Sequence, residues 1–163
     1  LCDRAVWIYK GELRLDGDPI YVIDEYLKQV AIDHKEEKKK AIIEGKHHFK
    51  GAVFVDSPRD FATIKKSDEI LTCRGWQISD HDDAILKIKL DENEITDITR
   101  SNRQDVFEDY QEAYAGDLDA DNIGWEIQVD LKDFSVGQHK LNVQCVEPNG
   151  NLLAEKNIQF ILE

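Results

Sequence analysis

Trp125-Glu126-Ile127-Gln128-Val129-Asp130-Leu131 decides the fold class. Apolar and polar side chains alternate strictly, which puts one set on a buried face and the other in water. That is the pattern of a half-buried β-strand. The same period of two runs through Ala84-Ile85-Leu86-Lys87-Ile88-Lys89-Leu90 and returns at 52–56, 70–76, 94–99, 139–146 and 152–162. Turn residues separate these segments, and Pro148-Asn149-Gly150-Asn151 reads as the hairpin turn between the last two. Seven short strands with such punctuation predict a mainly β fold, a two-sheet sandwich, over residues 52–163. One interruption, residues 102–114 with Val106, Phe107 and Tyr110, reads as a helical excursion.

Residues 1–50 follow a different period. Asp18 ahead of Pro19 is a helix start, because the carboxylate accepts orphan amides and proline tolerates the first helical position. Ile20, Ile23, Leu27, Val30, Ala31, Ala41 and Ile42 then recur at helical spacing, and Gly45 supplies the stop. The spacing predicts a long N-terminal α-helix over 19–44 whose apolar stripe needs a partner: the sandwich, another chain or an upstream domain. Before it, residues 6–9 and 12–15 flank Gly11 and read as two short strands or an irregular hairpin.

The net charge of −13 is unevenly placed. Residues 1–50 carry ten basic and ten acidic side chains, and the remainder carries 11 and 24. A field of that sign repels phosphate backbones and argues against nucleic acid as a partner. No apolar run reaches the ~18 residues of a membrane-spanning helix. The sequence holds no methionine and begins in mid-pattern, which suggests a fragment of a longer protein. There is no G-x-S-x-G, H-E-x-x-H, phosphate-binding loop or dinucleotide fingerprint, so no catalytic residues are assigned and the chain is expected not to be an enzyme.

Six short motifs occur in order: Asp56-Ser57-Pro58, Gly75-Trp76 with the turn that follows, the strand from Ile85 to Asp91, Arg103/Asp105/Val106 with Tyr110, Gly124-Trp125, and Gly137/His139/Leu141/Val143 with Gly150-Asn151. Together they resemble the immunoglobulin-like modules appended to bacterial cell-wall hydrolases, surface proteins and carbohydrate-active enzymes. The resemblance covers about the last two-thirds of the chain. It implies an immunoglobulin-like sandwich, with the first fifty residues as the possible tail of a preceding domain. Gly75 is expected to let another backbone or ring approach closely, and Trp76 to fill the centre between the sheets.

Cys73 and Cys145 fall at inward positions of their strands, and in such a sandwich those strands lie in opposite sheets. In an exported protein they would close a disulfide; in the cytosol they would be buried thiols filling space. Cys2 is expected to be free. Asp117, Asp119 and Asp121 stand at alternate positions and invite a calcium ion, although Asn122 and Gln128 replace the glycine and glutamate of an EF-hand. The competing reading is a solvated acidic loop. Tyr110, Tyr114 and Trp125 are the aromatic candidates for stacking on sugar rings, with Trp125 also reading as core. The expected function is a non-catalytic accessory module, a spacer or a binding unit toward cell-surface glycan or cell wall. Its partner would be an upstream catalytic or surface domain, and its location extracellular or cell-surface. The alternatives are a structural module docking through the helix and a cytoplasmic appendage of a glycosyltransferase.

Overall fold

A computed structural model describes residues 3–114 and 116–163; Cys2 lies outside them. The chain divides into two compact units, Leu1–His48 and Phe49–Glu163. It is mainly β, with two principal sheets of four and five strands and an N-terminal helix of 25 residues.

In the first unit β1 (Ala5–Tyr9) and β2 (Glu12–Gly17) form an antiparallel hairpin with an irregularity between Trp7 and Ile8. Lys10 and Gly11 both take positive φ at its tip, as a tight hairpin turn requires. Helix α1 (Pro19–Ile43) follows, and the Asp18 side chain accepts from the amides of Ile20 and Tyr21. The helix does not meet the hairpin through its apolar stripe. Val22 is its buried residue, Tyr26 sits edge-on to Trp7, and Asp33 accepts from the Tyr9 hydroxyl at 3.0 Å. Ile20, Ile23, Leu27 and Val30, about a quarter-turn away, stay exposed.

The second unit is the sandwich. Its strands are β3 (Gly51–Ser57), β4 (Ala62–Ile64), β5 (Ile70–Ser79), β6 (Ile85–Leu90), β7 (Asn93–Ile95), β8 (Thr99–Ser101), β9 (Gly124–Asp130), β10 (Gly137–Val146) and β11 (Leu152–Leu162), with a short helix α2 (Gln104–Tyr110) between β8 and β9. One sheet runs β3-β5-β9-β8 and the other β4-β11-β10-β6-β7. The order matches the two sheets of an immunoglobulin sandwich, with an extra strand at each edge of the second.

Seven strands were expected here and nine form. The extra pieces are β4, paired parallel to β11, and a division of the segment 94–99. From the sequence that segment reads as one strand that can pair back on β6. Only β7 does so, and β8 crosses to pair with β9 in the opposite sheet. Ile95 and Ile98 pack on the core on either side of the crossing.

Inward side chains of both sheets build the core. Val55, Leu71, Cys73, Trp125, Ile127 and Val129 come from one sheet, and Ile88, Leu90, Leu141, Val143, Ile158, Phe160 and Leu162 from the other. A second cluster, Ile78, Val106, Tyr114 and Ile123, lies where α2 and the following loop cover part of the outer face of the four-stranded sheet.

Candidate binding face of the four-stranded sheet

The phase of β5 sets the site. Leu71 and Cys73 are buried in the core, so Gly75 and Gln77 share their side and Trp76 and Ile78 point the other way. The tryptophan at the centre of the sandwich is therefore Trp125, 1% exposed, and not Trp76. Gly75 is the register partner of Trp125, and a β-carbon added there would come within 2.7 Å of the indole and 2.0 Å of the Phe54 carbonyl oxygen. The expected close approach at Gly75 is made by that ring.

Phe54 pairs with Trp76 across the β3–β5 ladder on the outer face. Their rings are nearly parallel, with centroids 5.7 Å apart. Tyr110, at the end of α2, brings its ring to 5.4 Å from that of Trp76. Phe54 is 43% and Tyr110 37% exposed. The result is a row of three aromatic side chains on the outer face, in which Trp76 is half-buried between its two exposed neighbours and packs partly on the cluster that α2 covers.

Polar groups border the row. Arg103 donates from Nη1 to Asp56 at 2.6 Å, and from Nε and Nη2 to both oxygens of Asp105 at 2.9 and 2.8 Å. The guanidinium holds the Asp105 carboxyl down at about 2. Gly124 makes room for this arrangement, since a β-carbon there would meet the Ser101 hydroxyl at 2.2 Å and the Arg103 stem at 3.0 Å. On the next row Arg74 and Glu126 are cross-strand partners, so the charges around the aromatic row are largely matched.

Of the aromatic candidates read from the sequence, Tyr110 belongs to this face. Trp125 is core, and Tyr114 is only 7% exposed, packed beneath α2 with the Lys50 ammonium 4.6 Å over its ring. Neither offers a face to a ligand. Phe54 and Trp76 were missed as surface aromatics, although the phase that places Cys73 inward places Trp76 outward.

The acidic loop does not bring Asp117, Asp119 and Asp121 together. Asp119 accepts from the Asp121 amide at 3.1 Å and from Asn122 Nδ2 at 2.5 Å, and Asp121 accepts from Asn102 Nδ2 at 2.9 Å. Among the described residues no group of three or more His, Cys, Asp or Glu is placed to hold a metal ion. Such loop carboxylates act as local caps for backbone and amide donors.

Of the two readings of Cys73 and Cys145, a disulfide or two buried thiols, the structure has the second: both are buried free thiols. Cys145 lies against Gln77, whose Nε2 is 3.1 Å from the sulfur. Gln77 is four residues beyond Cys73 on β5, about 13 Å of strand, and a disulfide needs Cα atoms within about 7 Å. Burial pushes the Cys73 thiol up to about 12.

His139 is a corner residue between the aromatic rings of Phe134 and Phe160. Its Nδ1 faces the Asp91 carboxylate and its Nε2 the Ser135 carbonyl oxygen at 2.7 Å, and Asp91 also accepts from the Lys140 amide at 2.9 Å.

No protein-family model matches this chain, and neither does any curated protein. Among solved structures it is similar to part of the endo-beta-1,4-mannanase from Thermotoga petrophila. The match covers 72% of this chain and 20% of that one, at 11% identity and a TM-score of 0.44. The match thus spans a fifth of that enzyme's length.

Proposed function

We propose that residues 49–163 form a non-catalytic accessory module that binds neutral glycan on the outer face of its four-stranded sheet, outside the cell or at its surface. The observation that carries this reading is the row Phe54–Trp76–Tyr110 on the outer face of the sheet, with Phe54 and Tyr110 exposed and Trp76 half-buried between them. Sugar rings present C–H faces that pack on aromatic rings, and their hydroxyls need fixed polar partners close by. Arg103 supplies donors, and the Asp56 and Asp105 carboxylates that clamp it supply acceptors, all in one place. A neutral chain suits the matched local charges, and a polyanion would meet the −13 field.

Affinity electrophoresis in gels containing neutral polysaccharides, with mannan, β-glucan and chitin derivatives as the first panel, tests this reading. The intact chain is retarded by at least one of them and Trp76→Ala is not. Equal mobility of the two proteins in every gel defeats the reading.

A second reading, docking on a partner or catalytic domain, draws on the exposed stripe Ile20, Ile23, Leu27 and Val30 of α1. It concerns the first unit and competes with glycan binding only as the main role. Replacing Ile23 and Leu27 by Ser leaves glycan retardation intact under the first reading.

A further inference from the structure

Apart from the aromatic row, the sandwich carries a cleft of about 320 Å³ at the end of β5, lined among others by Gln77, Ser79, Asp82, Arg100, Asp117 and Asp119. Its volume suits a small molecule rather than a polymer. Arg100 is the register partner of Trp125 on β8, so its side chain turns to the inner side of the sheet and is half-buried. Nη2 makes both of its hydrogen bonds, to Gln77 Oε1 at 2.9 Å and to the Asn122 carbonyl oxygen. Among the described residues neither Nε nor Nη1 has a hydrogen-bond partner, and no carboxylate forms an ion pair with the group.

A half-buried guanidinium held only by neutral acceptors is unusual, because a cation removed from water is normally paired. Burial lowers the Arg100 pKa, and no carboxylate opposes that effect. The unused donors are suited to an anionic group, bound side-on as guanidinium binds carboxylate. The remaining charged lining is opposite in sign. Asp82 and Asp119 line the same cleft, and the orientation of Asp119 is set by its bonds to Asp121 and Asn122. A simple anion would meet these carboxylates, and a simple cation would meet Arg100. A molecule with both charges a few bonds apart satisfies both sides.

We infer that this cleft binds a small zwitterion bearing a carboxylate and an ammonium group, of the α-amino acid class, with the carboxylate on Arg100 and the ammonium toward the aspartates. The inference does not rest on glycan binding.

The test is a titration of the full ¹⁵N-labelled chain with D- and L-alanine, acetate and methylammonium, read by NMR. Alanine of at least one hand shifts the amides of Gln77, Ser79 and Arg100 saturably, and acetate and methylammonium bind at least about tenfold more weakly. Arg100→Gln abolishes the alanine response. Should that variant fail to fold, the exposed Asp82→Asn decides: it weakens alanine and leaves acetate unchanged or tighter. Absence of a saturable response to either alanine, equal affinity for acetate and alanine, an undiminished response in Arg100→Gln, or an Asp82→Asn variant that binds alanine as before would each overturn the assignment.

Discussion

The indole of Trp125 lies across the backbone of Gly75, its register partner, at a distance that leaves no room for a methyl group. This contact ties β5 to β9 at the centre of the sheet that carries the aromatic row on its other side. Gly75→Ala must displace either the ring or the β3 backbone, since the added carbon would also meet the Phe54 carbonyl oxygen at 2.0 Å. Overpacking of a core of this kind costs about 1–3 kcal/mol. Urea unfolding should place Gly75→Ala at or above the upper end of that range. A variant as stable as the parent would mean that the ring sits elsewhere.

His139 gives the sandwich a pH dependence of definite sign. Burial disfavours the imidazolium, but hydrogen bonds from the ring to the Asp91 carboxylate and the Ser135 carbonyl outweigh that and raise the pKa above 6.5. The folded state thus holds the proton more tightly than the unfolded chain. The resulting stability is fully present below about pH 6.5, the unfolded-state value, and is lost as pH rises through the higher folded-state value. Thermal melts from pH 5.5 to 8.5 should show the parent losing more stability with rising pH than His139→Gln does. Parallel pH profiles would contradict the geometry at this corner.

Cys73 and Cys145 should stay reduced even in an oxidising buffer, because the strand offset keeps them apart. In a Cys2→Ser background, native protein should resist alkylation, and unfolded protein should take two labels. The burial that raises the Cys73 pKa to about 12 removes its thiolate as well as its access. A mass lower by two hydrogens, with no labels taken after unfolding, would show that the bond forms after all.

The clamp on Arg103 joins the start of α2 to β3 through Asp56. The Arg103–Asp56 pair is partly shielded from water, and a hydrogen bond between charged groups contributes about 1.5–3 kcal/mol in such settings. Asp56→Asn should weaken the seating of α2 more than that of the sheets. Hydrogen exchange reads this directly: the α2 amides should speed up, and those of β5 and β9 should not. Uniform acceleration would indicate that Asp56 supports the whole sandwich instead.

Much of this fold could be read from alternation alone. Ile127, Val129 and Leu131 set one phase, Leu141 and Val143 another, and both hold in the core. The division of 94–99 could not be read in this way. Three residues of β7 and three of β8 are too few to show a period, and the choice of sheet is made by tertiary packing of Ile95 and Ile98. The site was readable in part. The phase of Leu71 and Cys73 already turns Trp76 outward, and Val53 and Val55 do the same for Phe54, but a glycine-tryptophan pair suggested a core residue. The pairing of Cys145 with Gln77 depends on the stagger between two sheets, which no property of a single strand records.

The most direct test of glycan binding is the indole Nε1–H signal of Trp76 during titration of the intact chain with a neutral oligosaccharide retained in the gel assay. Binding on the aromatic row predicts a saturable shift for Trp76, little change for the buried Trp125, and loss of binding by at least about tenfold in Phe54→Ala. Binding that leaves the Trp76 signal unmoved, or that survives both Phe54→Ala and Trp76→Ala, would contradict it.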